Sequence, residues 1–294
     1  MPNALIPELN GRRLTLDIAL KQPTIIRAKI AQLADSQILL PKFFRHLGQP
    51  IQGGGMLYTV VQASDFFTSD IEKRNARAEY KVVEGVDPEP TLAKVEDWGG
   101  KFQVGEEEIR RNDINYLTQQ SVQLANTIAR KLDVRTMAVV EAAISGANVV
   151  PGHDWGDLVT VGPEADLTPS AELPTADLSA AQLASDLQEL GVKHNLLIVH
   201  PNEAHSLRVA YGDKLGAMLA SAGVTMYANP RIAPGVGWAV ESGQVGAVGF
   251  ESPLTVDVWE DKATRSWWVQ SYVVPAMGVD RPFAAKKLTG LAGA

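Results

Sequence analysis

The sequence predicts an α+β fold with four parts: an N-terminal arm, an extended β-ribbon, a long helix accompanied by a C-terminal β-hairpin, and a compact α/β unit. Three observations predict it. One apolar stripe with helical spacing runs through residues 113–145, helices and strands alternate from about 176 to 249, and polar and apolar residues alternate around a turn within 254–274. The long helix is the element against which we expect the other parts to lie.

The long helix is predicted over 113–145 because its apolar residues recur at steps of three, four or seven, and neither Pro nor Gly interrupts them. Asn112 is the expected N-cap and Gly146 the expected left-handed stop. At 1.5 Å per residue the helix would be roughly 50 Å long. Charged residues in its middle exclude a membrane span, and the stripe ends too early for a long coiled coil. The stripe consists of Ile114, Leu117, Leu124, Ile128, Leu132, Met137, Val140 and Ile144.

Composition narrows the class of protein. The chain has 294 residues, of which 45% are hydrophobic, enough to build one large or two modest domains. It contains no cysteine, so structural disulfides, thiolate catalysis and Cys-ligated zinc are excluded. The lack of cysteine also fits an intracellular site of synthesis. We find no signal-peptide pattern and no apolar run of about eighteen residues. The net charge of -7 argues against a general affinity for phosphate backbones.

Residues 1–55 are predicted to form an arm. Pro23 is a favourable first residue for a short helix, and Gly53–Gly55 would act as a flexible joint. An apolar cluster precedes this joint without enough neighbouring sequence to bury it. Two explanations stay open: the arm lies on another molecule, or it packs as an ordinary N-terminal subdomain. The cluster consists of Ile38, Leu39, Leu40, Phe43 and Phe44.

A two-stranded ribbon is predicted between the arm and the long helix. Residues 56–62 are expected to form a strand, and two further extended runs, 78–84 and 91–98, flank a turn at 85–90 that contains Gly, Asp and two prolines. These two runs would pair with each other, and residues 101–104 would lead into the helix. Because such a ribbon is marginally stable alone in water, it packs either on its own body or on a neighbouring copy.

Beyond a loop at 147–175, helices and strands alternate. Ser179 and Gln182 form a capping-box pattern that opens a helix, with Leu183, Leu187 and Leu190 on one face. Helices at 201–211 and 214–222 and strands at 195–199, 224–227, 236–240 and 245–250 complete the α/β unit. Residues 254–259 and 265–274 are expected to form a hairpin, and 282–290 a last strand.

Two clusters contain residue types that bind metals. His200, Glu203 and His205 do not have the spacing of a zinc-binding HExxH or HxxEH motif, and Glu203 would instead satisfy free N–H groups in the first turn of a helix. His153, Asp154 and Asp157 lie in a Gly-rich loop, where such residues commonly make turn hydrogen bonds. A structural role is favoured for both clusters.

No catalytic, cofactor-binding or metal site is predicted. The sequence has no GxSxG elbow, no GxxxxGK[ST] phosphate loop and no GxGxxG between a strand and a helix. What it does have is surface without a partner: an arm, a ribbon and a long helix. These are features of a subunit in an assembly.

Four phrases mark the order of these elements: KVEDWGGKFQVGEEEIRRND at 94–113, LANTIARKLD at 124–133, ANPRIAPGVGWAVESGQVGAVGFES at 228–252 and VPAMGVDRPFAAKKLTG at 274–290. In them the chain resembles the major capsid proteins of tailed bacteriophages with the HK97 fold, particularly those of phages that infect actinobacteria. The resemblance covers the chain from about residue 50 to its end.

The resemblance implies an HK97-like fold with four regions. Residues 1–55 would be the N-terminal arm, 56–111 the E-loop ribbon with its flanking strands, 112–155 plus 250–294 the peripheral P-domain, and 156–249 the axial A-domain. Its implied function is self-assembly into hexamers and pentamers of an icosahedral head that encloses double-stranded DNA without sequence-specific binding. Neither enzymatic activity, nor a cofactor, nor membrane association is implied.

The resemblance also implies partners and a location. A separate scaffolding protein, a portal and a decoration protein are expected, and the protein would reside in the virion after assembly in the bacterial host cytoplasm. The short arm with an initiating Met1 favours a separate scaffolding protein over a cleaved scaffolding region. Lys81, Lys94 and Lys101 lie on the ribbon, but none aligns with a cross-linking lysine, so covalent cross-linking is not expected.

Two alternatives stay open. An encapsulin-type nanocompartment shell shares the fold but encloses protein cargo. A metal-dependent hydrolase that uses His200, Glu203 and His205 belongs to another class, and a stoichiometric bound metal on a monomer would identify it.

Overall fold

The computed structural model describes residues 38–85 and 88–292, together with Leu20. The short helix predicted from Pro23 lies outside the described residues. The helices are α1 (Leu40–Phe43), α2 (Glu106–Arg111), α3 (Ile114–Ala143), α4 (Pro174–Asp186), α5 (Pro201–Tyr211) and α6 (Leu215–Ser221). The strands are β1 (Phe44–His46), β2 (Gly55–Thr59), β3 (Pro90–Lys94), β4 (Trp98–Gly105), β5 (Val149–Pro151), β6 (Leu196–Val199), β7 (Thr225–Ala228), β8 (Val236–Val240), β9 (Gly246–Asp261), β10 (Ser266–Gly278) and β11 (Ala285–Thr289).

These strands form three sheets. In the first, the order is β1-β9-β10-β4, and the antiparallel hairpin of β9 and β10 is its centre. In the second, the order is β5-β11-β8-β6-β7, and in the third β2 pairs with β3. The predicted hairpin is confirmed. However, β9 is one long strand where the sequence predicted two. The pairing with β10 is irregular near Val274, and this irregularity lets the strand continue past Pro253.

The long helix is confirmed as α3, which has 30 residues and is therefore about 45 Å long. Its predicted N-cap is wrong by one position. The carboxylate of Asp113 accepts a hydrogen bond from the backbone N–H of Tyr116 (3.1 Å), whereas Asn112 ends α2 in the left-handed conformation. The error arises because the sequence did not reveal α2, whose acidic first turn and basic last turn suit a separate helix.

The apolar cluster before the glycine joint is buried within its own chain. Leu39, Leu40, Phe43 and Phe44 join α3 and the two larger sheets in one core, where the rings of Phe43 and Trp238 meet edge to face. β1 then pairs in parallel with β9. The explanation that this cluster lies on another molecule is wrong, and so is that of a separate subdomain, since its partners are distant in sequence. Leu20 is also buried, against the hairpin and α3.

The ribbon exists, but its predicted pairing is wrong. β3 pairs with β2, in register from Gly55 opposite Lys94 to Thr59 opposite Pro90. Residues 78–84 are outside any strand, and their backbone–backbone hydrogen bonds in the described chain are at the two ends, where the N–H of Ala78 donates to the carbonyl of Asn75 (3.1 Å) and the N–H of Ser69 donates to the carbonyl of Glu84 (3.0 Å). The turn residues at 85–90 favoured a tight hairpin between 78–84 and 91–98. β3 pairs instead with the apolar strand β2, which precedes both.

The α/β unit has the predicted alternation with one displaced helix. α4 begins at Pro174, in the first helical position, so the capping box at Ser179 is wrong. Leu183 and Leu187 are exposed, and the buried face carries Leu178 and Ala181 instead. The second sheet also recruits β5 and β11, which lie outside the predicted window of residues 176–249.

A glycine at the meeting point of β1, β9 and β10 tests this packing. A Cβ on Gly246 would overlap the carbonyl oxygen of Gly278 and lie 2.6 Å from the ring of Phe44. We expect Gly246→Ala to lower the free energy of unfolding by about 2 kcal/mol or more, measured by urea denaturation. The control, Gly216→Ala in α6, has open space and should raise that free energy by up to about 1 kcal/mol. Equal stability of Gly246→Ala and the unchanged protein would contradict this packing.

Candidate assembly surfaces

The connection between β2 and β3 is the most exposed part of the described chain. Residues 66–85 are all exposed, and after Phe66, which ends a short 3-10 helix, they contain no helix or strand. Their large apolar side chains include Ile71, Tyr80 and Val82, which are 78%, 77% and 84% exposed. Apolar side chains clustered on such an excursion mark an interaction surface.

The excursion, defined as residues 66–85, is held by its own chain only at its base and by a few polar contacts. Near the base, the Val61 N–H donates to the carbonyl of Asp280 (2.7 Å) and the ring of Phe66 meets that of Phe283. Farther out, Lys81 pairs with Glu72 at 2.9 Å on the surface. Exposed ion pairs of this kind contribute little stability. The excursion therefore needs a surface outside its own body to be held in place.

An apolar groove of about 590 Å³ lies where the ribbon meets α3 and β10. The last two turns of α3 form its floor, and the ion pair between Arg135 and Glu96 lies at its edge. Small side chains on the helix keep the floor flat, which suits packing of another backbone against it. Its apolar lining includes Tyr58, Leu92, Ala138, Val139, Ala142 and Met277.

A buried carboxylate on α3 links three segments. Asp133 is 3% exposed, and its oxygens accept hydrogen bonds from the backbone N–H of Leu39 (2.6 Å) and the side-chain amide of Asn229 (3.2 Å). Burial raises the pKa of Asp133, and the two donors and the charge of Arg231 oppose that rise. The contact ties the segment before α1 and the turn after β7 to the long helix.

Two further buried polar groups tie α4 and the residues after it to the second sheet. Lys286 on β11 is fully buried and donates to the side-chain oxygens of Asn148 (2.5 Å) and Gln188 (2.9 Å), and burial lowers its pKa to about 8. His194 lies 2.7 Å from the hydroxyl of Ser185 on α4. Burial, reinforced by the charge of Lys286, lowers the pKa of His194 to about 4. Both groups have structural roles.

The first candidate metal cluster is only partly brought together. His200 is the N-cap of α5, where its Nδ1 accepts from the N–H of Asn202 (3.1 Å). Glu203 is buried with Oε2 3.6 Å from that Nδ1, but its Oε1 accepts from the N–H of Gly235 (2.6 Å), so the expected contact with the first turn of its own helix is wrong. His205 is exposed on another side of α5.

The second cluster is also divided. His153 lies 2.7 Å from Asp177, which also accepts from the indole N–H of Trp155 (2.8 Å). Asp154 accepts from the N–H of Gly156 (2.7 Å) in a local turn, and Asp157 is exposed. Within residues 38–85 and 88–292, no group of three or more His, Asp or Glu side chains is arranged to hold a metal ion. In that same part of the chain, no helix has the length and apolar character needed to cross a bilayer.

The buried polar residues Asp133, His194 and Lys286 were not predicted from the sequence. A signal existed for two of them. Asp133 lies three and seven positions before Thr136 and Val140, both buried on α3, and Lys286 lies two positions from the buried Ala284 and Leu288. A polar residue in phase with buried neighbours indicates a satisfied polar contact in the interior.

Comparisons with known proteins point in one direction. The sequence profile of a family described as phage capsid protein matches residues 88–288, which hold α3 and all strands of the second sheet. No curated protein matches the chain in sequence.

Solved structures share the fold. The capsid of cyanophage P-SCSP1u is 13% identical with a TM-score of 0.62, over 86% of this chain and 88% of that chain. A chain of Mycobacterium phage Bobi is 10% identical with a TM-score of 0.58, over 89% and 90%. A virus-like particle from Pyrococcus furiosus is 14% identical with a TM-score of 0.52, over 90% and 98%. The α+β, HK97-like fold that the resemblance implied is thereby confirmed.

The buried histidine gives a test by pH. The pKa of His194 is about 4 in the folded protein and about 6.5 when unfolded, so the unfolded chain binds the extra proton as pH falls below 6.5. Stability from the neutral ring is therefore complete above that pH and is lost toward pH 4. When the pH is lowered from 7 to 5, we expect His194 to reduce the free energy of unfolding by about 2 kcal/mol.

Denaturation at the two pH values measures this loss. His194→Gln should remove most of the difference between them, whereas the control His205→Gln, at an exposed position, should keep it. If His194→Gln kept the full pH dependence, the loss would come from other groups.

Proposed function

The chain belongs to the phage capsid protein family, and we propose that its copies assemble as hexamers and pentamers into the icosahedral head of a tailed bacteriophage around double-stranded DNA. The observation that carries the proposal is the excursion of residues 66–85. It is apolar in part, exposed at every residue, and held by few contacts with its own chain. In a closed shell every copy can bury this segment on the next, so one contact is repeated by symmetry.

We assign the elements of the fold to the four regions that the resemblance implied. We assign the ribbon and excursion to the E-loop within 56–111, α3 and the β9–β10 hairpin to the P-domain, and 156–249 to the A-domain. The core supports such a division of roles, because α3 packs on both larger sheets and holds them in a fixed relation while the ribbon projects from it. We assign residues 1–55 to the arm, although Leu39, Leu40, Phe43 and Phe44 are part of the core.

The proposed partners follow from the same role. They are other copies of this chain, a scaffolding protein, a portal and a decoration protein. The subunit would assemble in the host cytoplasm and reside in the virion. We assign no enzymatic activity to the subunit. The similarity to a virus-like particle from Pyrococcus furiosus makes a shell around protein cargo the second candidate.

Electron microscopy of the purified protein, with light scattering on the same sample, tests shell formation. We expect closed particles that contain nuclease-protected DNA when they are isolated from infected cells. Particles that contain a stoichiometric protein cargo in place of DNA would establish the second candidate. A monomer that binds a stoichiometric metal and turns over a substrate would contradict both.

Charged residues on the excursion test its role in assembly. Ile71→Asp combined with Val82→Asp should leave the melting temperature of the subunit unchanged, because both side chains are exposed. The same variant should form few or no closed shells, because each contact would bury two unpaired carboxylates, at a cost of several kcal/mol. Particle yield by microscopy is the measurement. The matched control, Ile71→Leu with Val82→Ile, should assemble normally, and normal shells from the doubly charged variant would show that the excursion does not bind a neighbour.

A further inference from the structure

A basic groove runs between α3 and the turn that follows β7. It has a volume of about 570 Å³. Arg130 on α3 and Arg231 on the turn line it, and so does Tyr227, whose ring is 5.1 Å from the Nζ of Lys42. Two cationic side chains thus line this open groove and a third lies beside it, in a chain whose net charge is -7.

The groove contains one acidic residue, and that residue is already engaged. Asp133 is buried in the floor, and each of its oxygens accepts a hydrogen bond, one from Leu39 and one from Asn229. Arg231 acts electrostatically on Asp133, but within the described ranges neither Lys42, Arg130 nor Arg231 forms an ion pair with a carboxylate. Among the described residues, the guanidinium of the exposed Arg130 and the outer side of that of Arg231 can therefore meet a ligand.

The chemistry of these cations favours phosphate. An arginine guanidinium presents a planar fork of donors that matches two oxygens of a phosphate. Two such forks on opposite walls of an open groove suit a linear polymer with regularly spaced charges better than an enclosed small molecule. The exposed Asn126 and Thr127, on the same turn of α3 as Arg130, add polar surface without an apolar anchor.

We propose that this groove binds the phosphodiester backbone of double-stranded DNA, independently of sequence. The inference rests on the proposed function, because a shell around DNA is what presents the groove with this polymer. The residues that would touch the DNA are Arg130 and Arg231, and Lys42 adds a positive charge beside Tyr227. The contact is electrostatic, so it weakens steeply as salt rises.

The test is fluorescence anisotropy of a labelled short DNA duplex, titrated with the full-length protein at about 50 and 200 mM salt. Arg130→Gln with Arg231→Gln should bind about tenfold more weakly at the lower salt, and the slope of log affinity against log salt should become shallower by about two. The matched control, Arg208→Gln with Lys262→Gln, removes the same charge from exposed positions outside the groove and should bind as the unchanged protein does. Two duplexes of different sequence should bind equally.

Several results would overturn the inference. These are no DNA binding by the unchanged protein at the lower salt, no loss in the groove variant, or an equal loss in the control. A poly-glutamate peptide that binds the unchanged protein as tightly as the duplex would show that the groove takes an acidic protein segment instead. Arg130→Gln alone, at an exposed position, should lose about threefold and serves if the double variant unfolds. Shell formation, scored separately by microscopy, reports on the proposed function and is expected to be unchanged in the groove variant.

Discussion

The apolar stripe of α3 must be covered along its whole length, and most of the other elements are arranged to cover it. Ile128, Leu132 and Val140 pack in one core with α1, with the β9–β10 hairpin and with the second sheet. Each fully buried side chain of this kind contributes about 1.5–3 kcal/mol. Because a single helix contacts both larger sheets, it fixes their relative position without a separate interface between domains. Burial of this stripe therefore makes the body rigid.

The excursion, unlike α3, is not covered by the rest of its own chain. A rigid body that buries its core leaves residues 66–85 with almost no contacts of their own. Such a segment is stabilised only when a second surface covers it. The stabilisation from one copy is limited by the entropic cost of ordering the segment. A closed shell multiplies that modest gain by the number of copies. A subunit can then stay soluble alone and still hold firmly once the shell is complete.

Local periodicity was sufficient for α3, for the β9–β10 hairpin and for strand β8, because the residues that define each of these lie within a few turns or a few pairs of one another. The errors fall where the partner is distant in sequence. β3 could pair with 78–84 or with β2, and the cluster around Phe43 could lie on any apolar surface; neighbouring residues decide neither case. The burial of Asp133 and Lys286 could be predicted from their phase with buried neighbours, but their hydrogen-bond partners could not, because those partners lie far from them in sequence. The predicted regions of the chain depend on the resemblance rather than on pattern.

The acidic composition and the basic groove act at different ranges. A net charge of -7 repels a polyanion at distances up to about the Debye length, roughly 8–10 Å at physiological salt. Two guanidinium groups in contact with a phosphate act inside that distance, where the local field outweighs the average charge. If the proposed groove binds DNA, each copy would contact the polymer at one place with an affinity low enough for exchange. Many copies in a shell would then order the outer layer of DNA without preventing its packaging and release.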